Sequence, residues 1–196
     1  FVNSVREGGW TPVPLPPIGR LNGKKITIVG YGKIGRKVAR RALAFGLSVR
    51  VYDPYVSEGG LDGVTIYENI EEALTGTDIV SLHVPLIDET RHILNEERLN
   101  LISKGGVVVN VSRGGLVDVD SAIRLLDKGK LNFVGLDVLE KEPPEIGDII
   151  RTHPKIILTP HVGYYSHESI AASKAICVQN ILSVLKGDSP AGPLAD

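Results

Sequence analysis

Three short segments of this 196-residue chain collect side chains that can move a proton or hold an anion. They are Asn110-Val111-Ser112-Arg113-Gly114-Gly115, Asp137-Val138-Leu139-Glu140-Lys141-Glu142-Pro143 and Thr159-Pro160-His161-Val162-Gly163. Arg113 offers a planar guanidinium that can grip a carboxylate at two points. His161 belongs to the one side-chain type that exchanges a proton near neutrality, and a carboxylate such as Glu142 beside an imidazole favours its protonated form. A fixed cation, an acid/base and a partner for that base are what chemistry on a hydroxy acid requires. Each residue also has a plainer reading. Arg113 could clamp the anion of a cofactor, His161 could be a satisfied core histidine after Pro160, and Glu142 could be a solvated charge in the run Glu140-Lys141-Glu142. Solvation is the fate expected of Glu140 and Lys141 themselves.

A second signal lies upstream. The run Lys25 to Val29 reads as a strand and leads into Gly30-Tyr31-Gly32-Lys33-Ile34-Gly35, which opens a helical stretch. The spacing is G-x-G-x-x-G: Gly30 suits a tight turn, Gly32 lets a pyrophosphate approach the backbone, and Gly35 allows close packing of helix on strand. Lys33 and Ile34 then present free backbone N–H groups at the positive end of the helix. The next strand ends at Asp53, separated from Gly35 by 17 residues. An acid there can accept hydrogen bonds from both ribose hydroxyls and repels a 2′-phosphate, which favours NAD over NADP. Asp53 also precedes Pro54, so a plain turn opener is the competing reading. Arg36 could reach the pyrophosphate or lie solvated on the polar helix face.

These segments need a scaffold that brings them to one edge. Short apolar runs alternate with helical-period stretches from Lys24 onward, the pattern of βαβ units on a parallel sheet covered on both faces. Six strands are predicted: Lys25 to Val29, Ser48 to Tyr52, Ile79 to His83, Val107 to Val111, Phe133 to Asp137 and Ile156 to Leu158. Helices are predicted over Ile34 to Phe45, Glu71 to Leu74, Glu96 to Leu101, Asp120 to Leu126 and His167 to Leu185. The last carries Ile170, Ile176 or Cys177, Ile181 and Val184 or Leu185 on one stripe, and Cys177 is expected to fill the core there. The fold class is therefore α/β, a doubly wound parallel sheet, divided as an extended arm over 1–19, a nucleotide-binding domain over 20–165 and a C-terminal helix over 166–196. The arm follows from Pro12, Pro14, Pro16 and Pro17, which forbid a helix.

Composition removes other classes. With 42% apolar and 23% charged residues the chain is an ordinary globular sequence, not a disordered or collagenous one. Lys and Arg number 22 against 23 Asp and Glu, a net charge of −1 that gives no footprint for nucleic acid. No apolar run approaches the roughly 20 residues of a membrane span, and no signal peptide is read. One cysteine cannot form an internal disulfide and is too little for a zinc site, so no metal is expected and a cytoplasmic setting fits. The chain opens at Phe1-Val2-Asn3 and contains no Met, which reads as a piece of something longer.

Taken together, Gly30-x-Gly32-x-x-Gly35 with Asp53, His83-Val84-Pro85-Leu86 with Thr90, Asn110 through Gly114, Asp137 through Glu142-Pro143, and Thr159-Pro160-His161 resemble, in order and spacing, the D-isomer-specific 2-hydroxyacid dehydrogenases. The likeness is to the phosphoglycerate dehydrogenase and glyoxylate or hydroxypyruvate reductase members. It implies that Arg113 binds the substrate carboxylate, His161 is the acid/base with Glu142 as its partner, and Asp137 orients the nicotinamide. It further implies that His83, Val84, Pro85, Thr90, Val111, Ser112, Arg113, His161 and Gly163 lie along the NAD site, His83 as a structural or cofactor-side residue. His92, His153 and His167 have no partner acid in a motif. The resemblance implies a homodimer through the coenzyme domain, with Trp10 and the Pro-rich arm against a partner subunit. It also implies a smaller substrate domain missing here, so that this chain should bind NAD yet turn over poorly. On that reading Phe1 to Trp10 is the tail of a helix leading from the missing domain. A second function fits the same motifs: an NAD-sensing, corepressor-like binding protein, which the Tyr165-Ser166 pair resembles and Tyr164 departs from.

Overall fold

The computed structural model of the chain describes residues 2–11, 19–56 and 60–190. The proline cluster expected to form the arm lies outside them. In chain order the elements are α1 (Val2–Arg6), β1 (Lys25–Val29), α2 (Lys33–Ala44), β2 (Ser48–Tyr52), β3 (Val64–Tyr67), α3 (Ile70–Leu74), β4 (Ile79–Leu82), α4 (Glu96–Leu101), β5 (Gly106–Asn110), α5 (Val119–Asp127), β6 (Leu131–Leu136), β7 (Ile156–Leu158) and α6 (His167–Leu185). The strands form one seven-stranded sheet in the order β3-β2-β1-β4-β5-β6-β7, and every pairing is parallel. The order reverses between β1 and β4. Ligands of open α/β sheets bind at such a switch point, beyond the carboxyl ends of the strands.

Side chains alternate across the pleat, so each strand feeds two cores. Ile26 and Ile28 of β1 pack with Ala39 and Ala42 of α2. Val29 joins the other face, with Leu74 of α3, Leu99 of α4 and Leu126 of α5. Buried Thr27 is tolerated on that face because its hydroxyl donates to the Ala73 carbonyl at 2.6 Å.

Several expectations need correction. Residues 2–6 form the short helix α1 where an extended arm is expected, and β4, β5 and β6 each end one residue before the predicted His83, Val111 and Asp137. A seventh strand, β3, pairs with β2 at the sheet edge; its four residues are partly exposed, so it lacks the continuous apolar run of the inner strands. Helix α5 begins one residue before the predicted Asp120, because Asp118 caps it by accepting from the Ser121 amide at 3.0 Å. Helix α6 has the predicted bounds, but no residue of it is buried, and Cys177 is exposed. Periodicity marks an apolar stripe without naming what covers it. No helix among the described residues is long and apolar enough to cross a membrane.

Candidate active site

The glycine-rich turn leaves β1 through Gly30 at φ +97, where the amide donates to the Tyr52 carbonyl at 2.8 Å. A Cβ at Gly30 would lie 2.7 Å from the His83 backbone, and one at Gly35 would lie 2.0 Å from the Gly30 oxygen. A Cβ at Gly32 would meet nothing within 4 Å. Two of the glycines are thus required by packing, and the third keeps open the space above the N-terminus of α2. That space is the cradle a dinucleotide pyrophosphate needs, with the amides of Lys33 and Ile34 at the helix start. Asp53 opens a turn and makes a second backbone contact that its position in the sequence does not announce. Its Oδ1 accepts from the Tyr55 amide at 3.0 Å, as a turn opener does, while Oδ2 accepts from the Tyr31 amide at 2.7 Å and ties β2 to the glycine-rich loop. Arg36 lies over the Tyr31 ring, 4.4 Å from its centroid.

Beyond β4, the His83 Nε2 stands 2.8 Å from the Ser81 hydroxyl, and its buried Nδ1 has no hydrogen-bond partner among the described residues. Burial lowers the His83 pKa, which favours the neutral ring. Val84 packs against the larger core. Thr90 closes the following loop: its hydroxyl donates to the Pro85 carbonyl at 2.7 Å and accepts from the Ile87 amide at 2.9 Å.

Arg113 is positioned by Asn110, the last residue of β5. Fully buried, Asn110 accepts from the Ser112 amide at 3.0 Å and donates to the Arg113 carbonyl at 2.8 Å, which fixes the turn containing Val111. Ser112 donates to the Leu82 carbonyl of β4. Gly114 then presses this turn onto the next one, since a Cβ there would fall 1.9 Å from the Leu139 carbonyl carbon. No reading of spacing exposed that contact. An Asn closing a buried strand, followed by a Gly pair, was the signal present.

Asp137, buried after β6, spends both carboxylate oxygens on the loop carrying His161. Oδ1 accepts from the Thr159 hydroxyl and from the Val162 amide at 2.9 Å, and Oδ2 accepts from the Gly163 amide at 2.8 Å. Burial alone would raise the Asp137 pKa. The three hydrogen bonds and the nearby His161 outweigh it, and the net shift is downward. The role implied for Asp137, orienting the nicotinamide, is thus joined by a second one, holding this loop. His161 sits at φ +54, a left-handed conformation that a non-glycine residue keeps only when its surroundings impose it. Its amide donates to the Asp137 carbonyl at 2.8 Å.

The imidazole Nδ1 of His161 lies 2.9 Å from Glu142 Oε2, while Glu142 Oε1 accepts from the Leu139 amide at 2.8 Å. That amide and the His161 ring hold the Glu142 carboxyl below its ordinary value, so it is an ionised acceptor. Nδ1 therefore carries the proton of this bond, and Nε2 is the atom left for outside chemistry. A cavity of about 590 Å³ is lined by Arg113, His161 and Glu142 together with Gly114 and Leu86. A second cavity, of about 560 Å³, is lined by the same pair together with Pro143 and Pro160.

Two charges depart from expectation. Glu140 is not a lone solvated charge: it pairs with Arg91 at 2.6 Å and lies 3.4 Å from His92. His153, read as a loop residue without an acid, is buried and sits 3.2 Å from Asp127. Both pairings join residues far apart in sequence, and spacing carries no trace of them.

Open glycine cradle, strand-end acid and an Arg–His–Glu set at the switch edge define a dinucleotide-binding domain with an acid–base pair beside it. Residues 1–163 match the family described as D-isomer specific 2-hydroxyacid dehydrogenase, NAD binding domain, and the chain belongs to that family. NAD is the cofactor that this family's domain binds. The chain is 36% identical over 187 residues to a D-3-phosphoglycerate dehydrogenase from Methanocaldococcus jannaschii, covering 94% of this chain and 35% of that protein. It is 38% identical over 168 residues to a hydroxypyruvate reductase from Thermotoga maritima, covering 85% of this chain and 54% of that one. A solved D-lactate dehydrogenase from Treponema pallidum superimposes with a TM-score of 0.87 at 26% identity, over 100% of this chain and 62% of that one. The chain thus spans between about a third and three-fifths of the length of these relatives.

Proposed function

We propose that this chain is the coenzyme-binding part of an NAD-dependent oxidoreductase acting between a D-2-hydroxy acid and the corresponding 2-oxo acid. The observation that carries the reading is the single cavity shared by Arg113, His161 and Glu142 at the carboxyl edge of the sheet. NAD, when bound, supplies the hydride acceptor at its nicotinamide and, reduced, the hydride donor. The residues present do the rest. Arg113 holds the substrate carboxylate through charge-assisted hydrogen bonds. His161 takes the C2 hydroxyl proton at Nε2 in oxidation and returns it to the C2 oxygen in reduction. Glu142 keeps the ring oriented and stabilises it while it carries both protons. Asp137 serves as a positioning residue for this loop and as a neighbour of the nicotinamide. The cradle at Gly30, Gly32, Lys33, Ile34 and Gly35 suits the pyrophosphate. Asp53 selects NAD over NADP, and His83, Val84, Pro85, Thr90, Val111, Ser112 and Gly163 border the cofactor.

The proposed division is an N-terminal segment over 1–19, the nucleotide-binding domain over 20–165 and a C-terminal segment over 166–196, which carries α6 and leads to a smaller substrate domain. Alone, the chain binds NAD and turns over slowly, because closure over the cleft is what excludes water. A homodimer is proposed, supported by Trp10, which is 88% exposed. A cytoplasmic setting is in keeping with the free cysteine. The corepressor-like reading gains no support, since the relatives named above are dehydrogenases and a reductase. The test is NADH oxidation by the full protein carrying this domain, over a panel of 2-oxo acids. Turnover with at least one of them is expected, and NADH binding without turnover of any would overturn the proposal.

A further inference from the structure

The cavity beside the His161–Glu142 pair has a second ionic wall that the proposed chemistry does not use. Arg91 and Glu140 line it together with Arg113. Arg91 Nη1 lies 2.6 Å from Glu140 Oε1, and both side chains are about half exposed. Oε1 also faces His92 Nε2 at 3.4 Å, whereas no hydrogen bond reaches Glu140 Oε2 among the described residues. The wall is built rather than incidental. The loop before Arg91 is pinned by the Thr90 hydroxyl, and the His92 amide donates to the Gly115 carbonyl at 2.7 Å. A Cβ on Gly115 would stand 3.0 Å from Glu140 Oε1, so the glycine there is what lets the carboxylate settle against the turn of Arg113.

We infer that the Arg91–Glu140 pair determines substrate specificity, accepting a 2-oxo acid whose C3 carries a hydroxyl and rejecting one with a branched aliphatic chain. The inference rests on the function proposed above. With the carboxylate on Arg113 and the C2 oxygen at His161, the substituent on C2 is the part left to face this wall. A hydroxyl there donates to Glu140 Oε2 and accepts from the Arg91 guanidinium. An aliphatic chain strips water from the ion pair and returns no hydrogen bond, and sites built to bond a substrate hydroxyl reject analogues lacking one. A phosphoryl group gains little, because Glu140 already neutralises Arg91.

The experiment uses the full protein carrying this domain, with NADH and three probes: glyoxylate, hydroxypyruvate and 4-methyl-2-oxopentanoate. Glyoxylate has no C3 and reports the hydride chemistry alone. The expected result is a kcat/KM for hydroxypyruvate more than about tenfold above that for 4-methyl-2-oxopentanoate, with the ratio falling at least about tenfold in R91L/E140L, chiefly through KM. If the double variant does not fold, E140Q keeps the shape, removes the charge and should move the ratio the same way. Glyoxylate turnover with a ratio unchanged in these variants would overturn this inference alone. Failure of the unaltered protein on all three probes would overturn the proposed function and the inference with it.

Discussion

His161 Nδ1 stands 2.9 Å from Glu142 Oε2 even though the two residues leave different strands, β7 and β6. The contact exists because Asp137 fixes the loop of the first residue and the Leu139 amide fixes the carboxylate of the second. The ring is therefore oriented before any substrate arrives, which is the condition for efficient proton transfer.

Glu142→Gln keeps an acceptor for the Leu139 amide but loses the charge that orients the His161 ring and stabilises it while it carries both protons. The kcat/KM for 2-oxo acid reduction should fall by about tenfold with NADH affinity nearly unchanged. Steady-state kinetics and NADH titration measure it. An undiminished rate in a folded variant removes Glu142 from the role.

Asp137 bears on stability. Its carboxyl is held below the unfolded value, so its contribution is present in full above about pH 4 and is lost as pH falls through the lower folded value. Asp137→Asn should cost about 1–3 kcal/mol in urea unfolding at pH 7, and the gap to the unaltered protein should narrow in acid. A gap that widens in acid would contradict the assignment.

Glycines pressed against backbone and a glycine facing open space should separate cleanly. Gly35→Ala drives a methyl into the Gly30 carbonyl, and Gly114→Ala drives one into the Leu139 backbone, so both should lose on the order of 3 kcal/mol or fail to fold. Gly32→Ala has room, so its melting temperature should hold while NADH affinity falls about tenfold, because the methyl occupies the approach to the phosphates. Thermal melts and NADH fluorescence titrations distinguish the two outcomes.

Much of this arrangement was legible because its parts are local. Gly30 to Gly35 between a strand and a helix, and strands expected to end at Val111, Asp137 and Leu158 and found to end at Asn110, Leu136 and Leu158, are short-range patterns whose apolar runs declare their burial. What escaped is long-range or partial. The edge strand Val64–Tyr67 is half exposed and lacks the buried-strand signature. The Arg91–Glu140 and Asp127–His153 contacts depend on how loops converge, and the exposure of Cys177 depends on what lies against α6. Hydrophobic periodicity reports a face and is silent about its neighbour.

Asp53 sets cofactor choice in this account. Asp53→Asn removes the charge while leaving an acceptor for a backbone amide, so the preference for NADH over NADPH in kcat/KM should shrink by about tenfold. A ratio that stays put would assign Asp53 to holding the Tyr31 and Tyr55 amides alone.

The central claim is that Arg113 grips the substrate while His161, on the same cavity, handles its proton. The direct measurement is Arg113→Leu in the full protein, followed by both 2-oxo acid kinetics and NADH binding. The account predicts a loss of about 10² or more in kcat/KM for the 2-oxo acid with NADH affinity nearly unchanged. Undiminished reduction, or a loss that appears wholly in NADH affinity, would contradict it.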